Sequence, residues 1–261
     1  MLRRLISLRQ RDYFILVVHR GSESTPLLRK FLASLQTTNW ELAVEPQPRR
    51  LNTLLSLSLG QYHSVVNQRA DIYLNMDMDY LGPRAKPLVT TVADLAAVEA
   101  PQHCSLKWHG ILMRRRGLAL MSRYATRVVA VSEFTRRRLI EHAPSLLGRA
   151  TTVHNGIDDD WFDTPDGNLA GTPFEGFAQK PYWIWFGYIT KRKNVLGLIR
   201  GYRMAREAAQ AGDSFPRLLL IGTLGHDSKR LPDVVKSLDL ARSVLFAPFQ
   251  PLNVLRNLVY R

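Results

Sequence analysis

The sequence predicts an α/β protein built on parallel sheets. Three observations carry this expectation. Short β-branched or aromatic runs alternate with longer amphipathic stretches. Apolar residues make up 46% of the 261 and charged residues 22%, the balance of a folded globular chain. No internal repeat or low-complexity tract interrupts the alternation.

Taken in order, the apolar runs predict strands at Tyr13–Val18, Trp40–Val44, Asp71–Asn75, Leu88–Val92, Arg127–Val131, Thr151–Val153, Tyr182–Phe186, Arg217–Ile221 and Val244–Phe246. Helical periods fit near 50–67, 105–125, 133–147, 193–211, 228–240 and 251–260. Residues 158–180 show no sustained period and carry Pro165, Gly167, Gly171, Pro173 and Gly176, so they read as a linker between a domain at 1–157 and another at 181–261. Only three strands follow that linker, whereas a doubly wound domain usually has five or more. The second domain therefore reads as incomplete. The opening residues lack a strand with a glycine-rich turn, so both ends read as cut.

The formal net charge is +14, which favours anionic partners: phosphorylated small molecules, nucleic acid or an anionic membrane face. A nucleic-acid binder would call for a recognition helix or a sheet of exposed aromatics. Neither signature is present, and nucleic acid is not an expected partner. Cys104 is the only cysteine, which excludes an intrachain disulfide and a thiolate zinc cluster and fits a cytoplasmic setting. No run reaches the roughly 18 to 20 apolar residues that span a bilayer. The basic start Met1-Leu2-Arg3-Arg4-Leu5-Ile6 lacks a signal-peptide core, so any membrane association is expected to be peripheral, at the inner face. The helix near 105–125 mixes Leu106, Ile111, Leu112 and Leu118 with Arg114, Arg115 and Arg116. That pattern suits either an anionic membrane surface or a core-packed helix with a basic outer face.

Three segments carry chemistry. In Val128-Val129-Ala130-Val131-Ser132-Glu133-Phe134-Thr135-Arg136 a buried strand runs into Ser132, an N-cap for the next helix, with Glu133 in its first turn. Strand C-termini in open α/β sheets border the ligand crevice, so Ser132 and Glu133 are candidate crevice residues. Thr152-Val153-His154-Asn155-Gly156-Ile157-Asp158 is a strand closed by an Asn-Gly pair, a turn signal at the domain junction and a candidate hinge. In Trp183-Ile184-Trp185-Phe186-Gly187-Tyr188-Ile189-Thr190-Lys191-Arg192-Lys193-Asn194 a strand ends at Gly187 and a basic cluster opens the next helix. Gly187 admits close backbone approach, while Arg192 and Lys193 add charge beside free helix N–H groups, an arrangement suited to a diphosphate. Read singly, these are a strand-to-helix junction, a turn and a basic surface loop.

In their order and spacing, Val131-Ser132-Glu133, Asn155-Gly156-Ile157-Asp158 and Gly187 through Asn194 resemble the family 4 retaining glycosyltransferases of GT-B fold. The resemblance runs from about Asp71 to Tyr260 and implies two Rossmann-like domains. It implies transfer of a hexose, with a mannose-like donor favoured, from a nucleoside-diphosphate sugar to a glycan or lipid-linked acceptor in polysaccharide biosynthesis, with retention. It assigns Gly187, Arg192 and Lys193 to the donor diphosphate and places Phe246 and Ala247 beside the nucleobase. No metal or other cofactor is implied, since positive charge stabilises the leaving diphosphate. Two departures stand out. Family members often carry His-Asp, the histidine reaching the donor sugar, where this chain has Ala93-Asp94; that contact is missing, and the catalytic residue is left unassigned with Asp94 a candidate. The family's paired glutamates would fall beyond Arg261, so a non-catalytic remnant or nucleotide-binding protein is the alternative. A further alternative is a metal-dependent GT-A enzyme, with Asp77 and Asp79 as ligands after the strand Asp71–Asn75.

Overall fold

A computed structural model describes residues 2–46, 51, 69–76, 86–210 and 214–260. The chain divides into two compact units, one comprising Met1–Pro101 with Leu106–Gly156, the other Gln102–Ser105 with Ile157–Arg261. Asp77, Asp79 and, apart from Leu51, the helix expected near 50–67 lie outside the described residues.

The first unit opens with α1 (Leu2–Leu8), β1 (Phe14–His19), α2 (Pro26–Ala33) and β2 (Trp40–Glu45). β3 (Tyr73–Asn75), β4 (Leu88–Val92), α3 (Ala96–Glu99), α4 (Trp108–Tyr124), β5 (Arg127–Ala130), α5 (Glu133–His142) and β6 (Ala150–Thr152) follow. β1 and β2 pair in parallel, and β3-β4-β5-β6 form a second parallel sheet in that order. Leu88, Val92 and Val128 from its strands meet Leu118 and Met121 of α4 and Leu139 of α5 in one buried cluster. The sequence reading missed α1, α2 and α3. Each is short and fewer than half of its residues are buried, so a helical period barely develops; α2 still announces itself by Pro26 after the extended Thr25.

The second unit contains β7 (Tyr182–Phe186), α6 (Val195–Ala209), β8 (Arg217–Ile221), α7 (Leu231–Ser237), β9 (Val244–Ala247) and α8 (Leu252–Val259). Its sheet is parallel in the order β7-β8-β9. Central β8 reads Arg-Leu-Leu-Leu-Ile because a parallel strand is buried on both faces. Side chains alternate across it, so Leu218 and Leu220 pack with Val195, Ile199 and Tyr202 of α6 and Leu231 and Val235 of α7. Leu219 and Ile221 pack on the opposite face with Leu255 and Leu258 of α8 and with Leu169 and Phe174. The stretch 158–180 is thus packed into this unit's second core layer, with Phe174 wholly buried. Full burial of one such side chain is worth about 1.5–3 kcal/mol.

Asn257 fastens that stretch. Although 3% exposed, it is satisfied: Oδ1 accepts the Gly167 N–H at 3.2 Å, while Nδ2 donates to Asp166 Oδ1 at 2.7 Å and to the Asn168 carbonyl at 2.8 Å. Tyr182 adds a hydroxyl bond to the Leu258 carbonyl at 2.7 Å. Asn257→Leu should strand the Gly167 amide and the Asn168 carbonyl, costing about 1–3 kcal/mol in denaturant unfolding. Faster hydrogen exchange at Gly167 should accompany it; unchanged stability and exchange would show that the clasp holds nothing.

Candidate functional site

In a parallel sheet all strand C-termini share one edge, and each unit gathers its polar residues there. In the first unit, Ser132 caps α5 from an extended backbone, its Oγ accepting the Thr135 N–H at 3.0 Å. Ser132 Oγ also donates to Thr135 Oγ1 at 2.9 Å, and that hydroxyl donates to the Ala93 carbonyl at 3.3 Å. The loops after β4 and β5 are joined in this way. Asp94 Oδ1 accepts the Ala96 N–H at 3.0 Å and so turns the chain into α3.

Glu133 is committed to its own surroundings. Arg136 donates to both carboxylate oxygens at 2.7–3.1 Å, and Thr152 Oγ1 donates to Oε2 at 2.7 Å. The Arg136 hydrogen bonds, then the Thr152 hydroxyl, hold its pKa down from the ordinary 4.5 to about 2. The Asn155-Gly156 pair departs from expectation. Residues 153–158 form no turn, Gly156 lacks a left-handed φ, and a Cβ there would meet nothing within 4 Å. At its start His154 is tied to the first unit, its Nδ1 3.3 Å from the Val131 carbonyl, which can only accept.

The second unit's edge is built on glycines. Gly187 follows β7 with φ +142°, and Gly222 follows β8 with φ +145°. A Cβ on residue 222 would sit 1.8 Å from the Gly187 carbonyl oxygen, so only glycine fits. Gly187 N–H donates to Ile221 O at 2.9 Å and Gly222 N–H to Ala247 O at 2.8 Å. The two loops then run on side by side, with Ile189 N–H to Thr223 O at 2.9 Å, Gly225 N–H to Ile189 O at 2.8 Å, and Ile189 fully buried.

Beyond Ile189, Lys191–Lys193 form a single 3-10 turn. Asn194, left-handed at φ 49°, caps α6 through the Gly197 N–H at 3.2 Å. Lys191, Arg192 and Lys193 are all exposed beside the N-terminus of a 15-residue helix. Helix N–H groups and three cations lie close together here, a combination that favours negative charge. Arg192 and Lys193 therefore stand just ahead of the helix, separated from its first turn by Asn194. Phe246 is partly buried against the α6-side core and Ala247 is buried against α8, at the end of β9, and exposed Phe249 follows them.

Gly222 and Asp227 escaped the sequence reading. The repeated strand-Gly junction, Phe186-Gly187 and Ile221-Gly222, was the available signal for the first. Among the described residues no group of three or more His, Cys, Asp or Glu is placed to hold a metal ion.

Parallel sheets with helices on both faces and polar, glycine-bearing strand ends define a Rossmann-like glycosyltransferase fold of GT-B type, and solved structures agree. HepE of Anabaena in complex with UDP-glucose aligns with TM-score 0.61 over 94% of this chain and 71% of its own, at 15% identity. WaaG, a glycosyltransferase involved in lipopolysaccharide biosynthesis, aligns with TM-score 0.58 over 94% and 72%, also at 15% identity. The Glycosyltransferase Family 4 model matches residues 8–161, and the chain belongs to that family. No curated protein matches the sequence significantly.

The Glu133 pairing has a testable titration. Its folded pKa lies below the ordinary value, so the contribution is complete above about pH 4.5 and is lost as pH falls through about 2. Carboxyl-carbon NMR should place the Glu133 midpoint near 2, and Arg136→Ala should move it up toward 4.5. A wild-type midpoint at 4.5 would contradict the pairing.

Proposed function

We propose that this glycosyltransferase moves a hexose from a nucleoside-diphosphate sugar to a hydroxyl of a glycan or lipid-linked acceptor, with retention at the anomeric carbon, in polysaccharide biosynthesis. The observation that carries the donor assignment is the exposed Lys191-Arg192-Lys193 turn ahead of α6, reached through Gly187. HepE has been solved with UDP and with UDP-glucose, which supports a nucleotide-sugar donor here.

In this reading Arg192 and Lys193 bind the diphosphate and stabilise its charge as the glycosidic bond to the sugar breaks, without a metal. Gly187 leaves room for the phosphates, and the backbone around Phe246 and Ala247 borders the base. Asp94 is a candidate for the catalytic carboxylate, and Ser132 and Glu133 stand at the first unit's strand ends, with Asn155 and Gly156 following β6. A mannose-like hexose is the favoured donor on the Gly187-to-Asn194 pattern.

Calorimetry with UDP-glucose and GDP-mannose tests the donor. A charge-assisted hydrogen bond is worth about 1.5–3 kcal/mol, so Arg192→Ala and Lys193→Ala should each weaken binding about tenfold or more. Binding should persist in chelator, and tighter GDP-mannose binding would support the mannose preference. Unchanged affinity in both variants would overturn the phosphate assignment.

The acceptor reading extends to an anionic membrane face. Trp108 and Leu112 on α4 are 76% and 53% exposed, and Arg115 completes their stripe one turn on. No helix among the described residues is long and apolar enough to cross a membrane. Sedimentation with phosphatidylglycerol vesicles at low salt should capture the protein, and Trp108→Ala with Arg115→Ala should release it. Equal recovery with neutral and anionic vesicles would remove this surface.

A further inference from the structure

The basic turn closes through two backbone bonds, Lys193 N–H to the Thr190 carbonyl and Asn194 N–H to the Lys191 carbonyl, both at 3.0 Å. Lys191, Arg192 and Lys193 follow one another on an exposed loop, where like charges repel and long side chains lose rotamer freedom if fixed. An acid from the neighbouring loop adds a tie at its first residue. Asp227, after β8, accepts the Lys191 N–H through Oδ2 at 3.0 Å. Ser105, in the segment Gln102–Ser105 that belongs to the second unit, donates its hydroxyl to the same oxygen, and Ser228 Oγ donates to Oδ1 at 3.1 Å.

The surrounding backbone makes this contact specific. Asp227 is the middle residue of the 3-10 turn His226–Ser228, whose N-terminal neighbour Gly225 donates to Ile189 O. A Cβ on residue 225 would come within 3.0 Å of both Asp227 Oδ1 and Ile189 O, so the loop is tight around the carboxylate. The Lys191 amide that Asp227 holds is the first of the turn presenting Arg192 and Lys193, and its carbonyl accepts the N–H of Asn194, the cap of α6. A displacement at Lys191 would thus be passed to both cations and to the helix start.

We propose that Asp227 is a positioning residue for the donor diphosphate, holding the Lys191 backbone so that Arg192, Lys193 and the α6 N-terminus face one anion. This role rests on the donor-site reading above. It carries an unusual signature, because a carboxylate near a diphosphate site repels the ligand while its geometry helps it. Loss of charge and loss of the hydrogen bond therefore act in opposite directions, and two substitutions separate them. Asparagine keeps an acceptor for the Lys191 N–H and removes the charge; alanine removes both.

UDP and GDP serve as probes in calorimetry, with hydrogen exchange at the Lys191 amide and a thermal melt measured on each variant. Asp227→Ala should weaken binding of the preferred nucleotide about tenfold and speed exchange at Lys191. Asp227→Asn should recover most of both. Equal or tighter binding by the alanine variant would show that the carboxylate acts only as a repelling charge, and equal losses in both variants would show that the acceptor geometry is not what matters; either overturns the proposal. If the melt shows alanine unfolded, the asparagine variant decides alone: slow Lys191 exchange with retained binding supports the role, and fast exchange overturns it. Failure of the wild type to bind either nucleotide would sink the donor-site reading, and this role with it, whatever the exchange result.

Discussion

The approach of Gly187 to Gly222 is the contact on which the second unit's chemistry depends. Two parallel strands end in glycines whose backbones touch, and the Gly187 carbonyl takes up the space of a side chain at 222. With no side chain to separate them, the two loops continue the pairing of β7 and β8 beyond the sheet. Ile189 is drawn into the core, and the next residues emerge beside the 222–228 loop. The basic turn, its tie to Asp227 and the start of α6 all follow from where that paired segment ends. Any larger residue at 222 would push the loops apart and displace every one of them.

The same geometry explains how a highly cationic chain can order a cluster of like charges. Two unit charges 4 Å apart in water interact by only about 1 kcal/mol, so hydrated lysine and arginine heads tolerate proximity. The larger cost is conformational, and here the main chain bears it through backbone bonds and the left-handed Asn194 cap. The three residues remain on the exposed surface. Arginine and lysine then contribute differently, arginine by a planar fork and lysine as a point charge.

Much of this could be read in the sequence because strands buried on both faces leave continuous apolar runs. All nine strands fell within two residues of their predicted places, and Ser132 was recognisable as a cap from its position after Val131. What could not be read was set by contacts between distant residues. Asp227 looks like any surface acid until the loop after β7 is laid beside it. The 158–180 stretch holds few apolar residues among glycines and prolines, so no period betrays that Leu169 and Phe174 are core, or that Asn257 clasps Gly167 from ninety residues away. Asn155-Gly156 is a like case: local propensity proposes a reversal, and the chain forms no turn there, with His154 tied to Val131 just before it.

The two strand-end rims use the same construction and reach opposite electrostatic results. In the first unit the polar groups are largely turned on one another: Glu133 is paired with Arg136 and Thr152, Asp94 shapes α3, and Ser132 and Thr135 join adjacent loops. In the second unit backbone amides satisfy the loop, and the cations project beyond it. A net positive charge of +14 could have been spread evenly. Instead, glycine-permitted backbone pairing places three consecutive cations beside one helix N-terminus, where the helix dipole adds to them.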